Sequence, residues 1–367
     1  MQRDRSRFLL RPVLALGALA LVASACGGDD DKEPTTTTVK ATTTTTAPPV
    51  AALTGLPLAD AGLRGRPALV VKIDNTSKAL GKQAGLNAAD LVYVEQVEGG
   101  ATRLAAVFQS SDADAVGPVR SARTSDYDIV KNLNRPLFAY SGANGGVEKG
   151  IKASPLINVG VTAKQKAYSK RGSGVLRFFA STQELYDGEE GAAPGPLFTY
   201  RPIGAPVTTP SAEATGGVDI SYGGTSKTLV KWVIDGDGWL RSQSGVAHAD
   251  DAGKRVNPAN VIVQFVDYRP SGYVDVTGSS SPEAVLVGAG EVWVFSGAKL
   301  VRGRWSRPSP ESVTALSDAS GQPITLAPGR TWVELAPVAS AAVVPAPVTA
   351  SPGAPATTPG PGTTRKP

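Results

Sequence analysis

Ala68-Leu69-Val70-Val71-Lys72-Ile73 carries a single charge in an otherwise apolar run, and it reads as a strand buried on both faces. Two further strands are expected nearby. Asp90–Val97 alternates at period two toward its end, and Thr102–Gln109 is apolar through Leu104, Val107 and Phe108. Between them, Gly99-Gly100 allows a tight turn and close backbone approach. Ala122, Tyr127, Ile129, Val130 and Leu133 have helical spacing, which predicts a helix over Ser121–Leu133 capped by Ser121 or Thr124. Leu137–Tyr140 is a short apolar strand, and Ser181–Tyr186 fits one or two helical turns after a Ser or Thr cap.

The texture changes at Pro194–Pro210. Beyond it almost every signal is β. Leu229–Asp235 and Trp239–Ser242 flank Gly236-Asp237-Gly238, a hairpin turn. Val261–Val266, Glu291–Phe295, Leu300–Trp305 and Thr331–Leu335 are further strands, and Gly321 and Pro328-Gly329 punctuate the last two. The expected fold is α+β: an N-terminal α/β part over residues 51–193, a linker over 194–210, and a β-rich part over 211–337, with one sheet open to both parts.

The chain ends are of another kind. Residues 3–11 are basic and residues 12–22 are apolar but too short for a comfortable membrane span, so residues 1–25 read as a secretory signal. Ala23-Ser24-Ala25-Cys26-Gly27 follows and resembles a bacterial lipobox, although leucine is more usual than Ala23. That resemblance implies that Cys26 is lipidated and becomes the new N-terminus. The alternative is an ordinary signal with a chance cysteine. Residues 26–50 are a Thr/Pro-rich tether, and 338–367 are an Ala/Pro/Thr tail expected to be disordered.

Of 367 residues, about 270 remain between the ends, enough for one large domain or two. Removing residues 1–25 leaves 33 basic and 31 acidic side chains, so no basic stripe argues for nucleic acid. Cys26 is the single cysteine and His248 the single histidine. Disulfides, thiolate sites and multi-histidine metal sites are thereby excluded from the mature part.

Leu53-Thr54-Gly55-Leu56-Pro57, Glu98-Gly99-Gly100-Ala101-Thr102-Arg103, Gly117-Pro118-Val119-Arg120-Ser121-Ala122-Arg123, Asn260-Val261-Ile262-Val263-Gln264 and Pro328-Gly329-Arg330-Thr331-Trp332 occur in that order. Together they resemble the YerB-like lipoproteins, a bacterial family of unknown function with an N-terminal and a C-terminal part. The resemblance spans roughly residues 53–336. It implies an envelope lipoprotein at the extracytoplasmic face of the cell membrane, held by a lipid anchor. It supplies no reaction and no catalytic residue.

Four constellations carry chemistry. The first is Glu95, Glu98, Arg103, Arg120, Arg123 and Asp126. It reads either as an anion site built on Arg103, Arg120, Arg123, Glu98 and Asp126, or as a salt-bridge network. The anion reading predicts that Arg120, Arg123, Arg103 and Glu98 converge at the start of the helix after Gly117-Pro118. The second is Ser141-Gly142-Ala143-Asn144-Gly145-Gly146, an anion cradle or a plain turn. The third is His248 near Ser242 and Ser244, a base beside a nucleophile or simply a turn residue. The fourth is Trp232, Trp239, Trp293, Trp305 and Trp332, which stack on sugars or pack a core.

Three functions stay open. One is an accessory binding protein of the cell envelope, whose partner is an envelope protein or a cell-wall glycopolymer. Another is a transferase or hydrolase of a polyprenyl-pyrophosphate-linked or other phosphorylated wall substrate. The third is a glycan-binding module. No cofactor is expected, and a divalent metal at Glu98 or Asp126 belongs to the transferase or hydrolase alternative alone.

Overall fold

The computed structural model describes residues 49–224, 227–275 and 277–347. The expected signal, Cys26 and the tether up to residue 48 lie outside the described residues, as does the tail from residue 348. No helix among the described residues is long and apolar enough to cross a membrane.

The first half of the fold contains β1 (Leu69–Asp74), β2 (Leu91–Gln96), β3 (Thr102–Phe108), α1 (Ser125–Lys131), β4 (Leu137–Ala139) and α2 (Gly145–Ala153). Then come β5 (Ile157–Asn158), β6 (Tyr168–Lys170), β7 (Phe178–Ala180) and α3 (Thr182–Tyr186). The second half starts with β8 (Glu213–Ala214), β9 (Gly217–Tyr222), β10 (Thr228–Asp235), β11 (Gly238–Gln243) and β12 (Val246–Ala247). It continues with β13 (Asn260–Val266), β14 (Tyr268–Val274), β15 (Ser280–Ala284) and β16 (Gly288–Ser296). β17 (Lys299–Arg307), β18 (Ala315–Asp318), β19 (Thr331–Pro337) and β20 (Ala341–Val344) complete it.

All six residues of β1 are buried, as its apolar run requires, because β1 lies inside the main sheet. That sheet runs β18-β17-β16-β13-β19-β2-β3-β1-β4-β5, with β8 on β17. β1 is parallel to β4 and antiparallel to β3. β19 is the seam. Thr331 pairs with Asn260 of β13 on one side and with Leu91 of β2 on the other, parallel to both. The two parts of the chain therefore share one mixed sheet, and the α+β expectation holds.

The smaller sheet, β12-β11-β10-β9-β20, covers one face of the main sheet. Alternation sorts the core into two layers. Val92, Val94, Leu104 and Ala106 belong to the layer that holds Val218, Ile220 and Trp232 of the small sheet. Leu91, Tyr93, Ala105 and Val107 belong to the layer that holds Ile129, Val130, Val147 and Ile151 of α1 and α2. Trp232 meets Trp332 edge to face with ring centroids 5.4 Å apart, and Trp239 meets Phe295 at 5.5 Å. Burial of each such ring contributes about 2 kcal/mol.

Three expectations change. The helix expected over Ser121–Leu133 starts at Ser125. The preceding backbone is spent elsewhere: Ala122 N donates to Gly142 O and Ser141 N to Arg120 O. Thr124 takes the cap position without a side-chain bond, while the Asp126 carboxylate accepts from Arg123 N at 2.7 Å. Within the tail expected from residue 338, Ala341–Val344 is ordered and pairs antiparallel with Gly217–Ile220 as an edge strand. Finally, residues 194–210 are strapped to the fold. Tyr200 bridges Leu326, and its hydroxyl donates to Leu53 O at 2.6 Å.

Candidate functional site

The charged residues collect where β1 ends. β1 leaves the sheet at Asp74, whose partner on β3 is Arg103. Residues after the cis Gly117-Pro118 bond run back along β1, with Asp74 N donating to Pro118 O and Arg120 N to Lys72 O, both at 2.9 Å. This pairing sets Arg120 beside Asp74, with Nε 2.6 Å from Oδ2. The β2–β3 turn supplies Glu98. Gly99 and Gly100 have φ of 68° and 83°, and a Cβ on Gly100 would stand 1.6 Å from Gly223 O. Glycine is thus required there for close approach as well as for the turn.

Arg123 grips Glu98 with a two-pronged fork, Nε on Oε1 at 2.7 Å and Nη2 on Oε2 at 2.8 Å. Ser281 of β15 also donates to Glu98. Burial alone would raise the Glu98 carboxyl, but Arg123 and Ser281 bring it below its usual value. Burial likewise opposes ionisation of Asp74, yet Thr76 and the charges of Arg103 and Arg120 hold it low. Arg103 is 4% exposed. Its Nη1 donates to Ser121 O at 3.2 Å, and its Nε has no acceptor. Burial first, then Arg123 and Arg120, lower its pKa to about 10.

Behind this group lies a second one. The Lys72 ammonium is fully buried against Glu95, with Asp126 Oδ1 at 2.7 Å. Burial and the neighbouring Asp126 raise the Glu95 carboxyl, against the pull of Lys72. The structure therefore gathers Glu98, Arg103, Arg120 and Arg123 at one end of the sheet, and Asp126 links them to Lys72 through the Arg123 amide. Arg120 and Arg123 come from the segment just ahead of α1, Glu98 from the β2–β3 turn and Arg103 from β3. The sequence reading missed Lys72 and Asp74. The signal was the lone lysine inside an apolar strand.

Glu98 and Asp126 are poor places for a divalent metal here. Both oxygens of Glu98 take the Arg123 fork, and those of Asp126 face Lys72 and the Arg123 amide. Among the described residues, no group of three or more His, Cys, Asp or Glu is arranged to hold a metal ion.

Models of two domains, the N-terminal and the C-terminal domain of a protein of unknown function (DUF3048), match residues 53–193 and 218–333. The chain belongs to the DUF3048 family. It is 26% identical over 309 residues to "Putative lipoprotein YerB" of Bacillus subtilis, covering 80% of this chain and 88% of that one. The crystal structure of YerB from Bacillus subtilis has the same fold, with a TM-score of 0.68, 22% identity, and coverage of 80% of this chain and 99% of that chain.

In this DUF3048 protein the first and last of the quoted phrases touch. Gly329 N donates to Thr54 O at 2.7 Å, and Arg330 ties down Asn87 and Asn257 through their backbone carbonyls. Ser141–Gly146 serves as a turn, in which Asn144 caps α2 by accepting from Gly146 N at 2.9 Å. His248 is neither a base beside a serine nor a turn residue. It is fully buried, with Nε2 2.7 Å from Gln83 Oε1 and Nδ1 2.9 Å from Arg241 Nη1. That network assigns the proton to Nε2. Burial and the charges of Arg241 and Arg255 hold its pKa well below the usual value. All five tryptophans are buried, so they pack the core.

Proposed function

We propose that this protein is a membrane-anchored, extracytoplasmic lipoprotein that acts as an accessory binding protein of the cell envelope. Its binding site is the cluster of Arg103, Arg120, Arg123, Glu98 and Asp126, which takes an anion. The observation that carries the binding reading is the buried Arg103 Nε, which has no acceptor while the carboxylates around it are already paired. Lys72 sits between Glu95 and Asp126, Arg123 forks onto Glu98, and Arg120 closes on Asp74. Groups locked in such pairs are suited to holding charge, whereas a general base needs a free carboxylate near its target proton. The Arg-rich start, the short apolar run and Cys26 support the anchor, as does similarity to a protein named as a lipoprotein. Two or three acyl chains on Cys26 would hold the chain stably at the membrane.

Two measurements test this. In cell fractionation the protein partitions with membranes and Cys26→Ser releases it; equal retention of the variant overturns the anchor. Incubated with isolated envelopes, the protein is retained saturably and the envelope stays intact. Release of soluble phosphate or glycan fragments would instead establish the transferase or hydrolase alternative.

A further inference from the structure

We infer that the anion this site takes is a phosphoryl group, held between the Nε–Nη2 edge of Arg103 and the outer edge of Arg120; the inference rests on the binding reading above.

Arg103 is the reason. A buried guanidinium normally spends its donors on carboxylates or carbonyls, because an unpartnered buried donor is costly. Arg103 spends only Nη1, on Ser121 O. Its Nε is sealed from solvent without an acceptor, and its Nη2 has none among the described residues. Nε and Nη2 form one of the two edges with which arginine grips an oxyanion.

Arg120 supplies the second edge. Its Nε is committed to Asp74, while its two terminal nitrogens have no acceptor among the described residues. Its side chain is 21% exposed. Its outer edge is therefore reachable from solvent.

The carboxylates nearby do not compete for those edges. Arg103, Arg120 and Arg123 share this end of the sheet with Asp74 and Glu98. Both carboxylates are already engaged, Asp74 by Arg120 and Thr76, and Glu98 by Arg123 and Ser281. With Lys72, Glu95 and Asp126 behind them, four basic and four acidic side chains meet here, so an incoming anion is met by unused arginine donors rather than by excess charge. Two arginine edges suit a tetrahedral phosphoryl group, whose oxygens point in different directions and can receive both forks. A planar carboxylate offers two oxygens in one plane and matches a single fork. Arg123 is a positioning residue here, because its donors are used in fixing Glu98 and the Ala122 carbonyl.

The test is calorimetric titration of the full chain with pyrophosphate, glycerol 3-phosphate and acetate. The two phosphoryl probes are expected to bind saturably, and acetate at least about tenfold more weakly. Arg120→Gln and Arg103→Lys should each weaken the phosphoryl probes by about tenfold or more. Arg120→Gln carries the test alone if the buried Arg103 variant fails to fold. Flotation of the Cys26→Ser protein with vesicles containing phosphatidic acid separates a lipid phosphate from a soluble one, and binding in either arm supports the inference. Acetate binding as tight as pyrophosphate, or unchanged affinity in Arg120→Gln, overturns it. If phosphoryl probes fail while envelopes still retain the protein, the phosphoryl assignment falls and the binding reading stands.

Discussion

Arg123 and Glu98 form a two-pronged ion pair across 25 residues of sequence, joining the β2–β3 turn to the segment ahead of α1. Both side chains are largely buried, so neither charge can be left to water when its partner goes. Arg123→Ala is expected to cost about 3 kcal/mol of unfolding free energy. Glu98→Gln should cost less, because Gln keeps one acceptor for Ser281 and the fork. Urea denaturation of both variants checks the order; equal losses would mean that the acceptor kept by Gln contributes nothing and the Glu98 charge carries the pair.

Glu95 gives a pH signature of opposite sign to its neighbours. Burial and Asp126 raise its carboxyl above the ordinary 4.5, so the folded protein binds this proton more tightly than the unfolded chain does. The resulting stabilisation is full below the unfolded value and is lost as pH rises through the folded one. Asp74 and Glu98 are depressed, and their stabilisation is present above their unfolded values and lost as pH falls. Glu95→Gln, which stays neutral, should therefore gain on the native protein as pH rises from about 4.5 toward neutrality. Stability curves that run parallel over that range would refute the assignment.

Much of the fold was legible because burial leaves a pattern. β1 reads as a strand from its unbroken apolar run, and β10 and β11 read as a hairpin, closed by Gly236-Asp237 between Asp235 and Gly238. Distant pairing left no such trace. β20 is Ala-Ala-Val-Val among prolines, and it is a strand because β9 offers it an edge. The early residues of the expected helix have helical spacing, but Gly142 and Ser141 claim their backbone groups. At the site, the arginines and Glu98 stood out by type and by their glycine-rich surroundings. Asp74 did not, because its role comes from Arg103 across the ladder and Arg120 from a later segment. His248 misled through its polar sequence neighbours, Asp250 and Asp251, while its real neighbours are Gln83 and Arg241.

Gly100 separates a steric requirement from a conformational one. A side chain there meets both a positive φ and the Gly223 carbonyl. Gly81 has a similar φ of 74° with nothing within 4 Å of its Cβ position. Gly81→Ala should cost about 1 kcal/mol, from backbone strain alone. Gly100→Ala should cost clearly more and should displace Gly223-Gly224 from the turn. Equal melting temperatures for the two variants would mean that this contact yields freely.

Arg241 and Glu334 make the most buried ion pair between the two sheets, with Nε 3.2 Å from Oε1 and both side chains sealed from solvent. Glu334 also accepts from the Tyr222 hydroxyl at 2.7 Å and from Trp232 Nε1 at 2.9 Å. Arg241 lies over the rings of Trp232 and Trp332 and donates to Gln243 and His248. Glu334→Gln keeps one acceptor oxygen for Trp232, turns the other into an N–H donor facing the Tyr222 hydroxyl, and removes the charge opposite the guanidinium, and is expected to cost about 3 kcal/mol. Arg241→Met strands the carboxylate and unties His248, at a similar or larger cost. In the double variant neither charge remains, so its loss should fall short of the sum of the single losses by about 2 kcal/mol. A double-mutant cycle by chemical denaturation measures that coupling. Additive losses would show that the pair is held by its hydrogen-bonded neighbours and not by mutual charge.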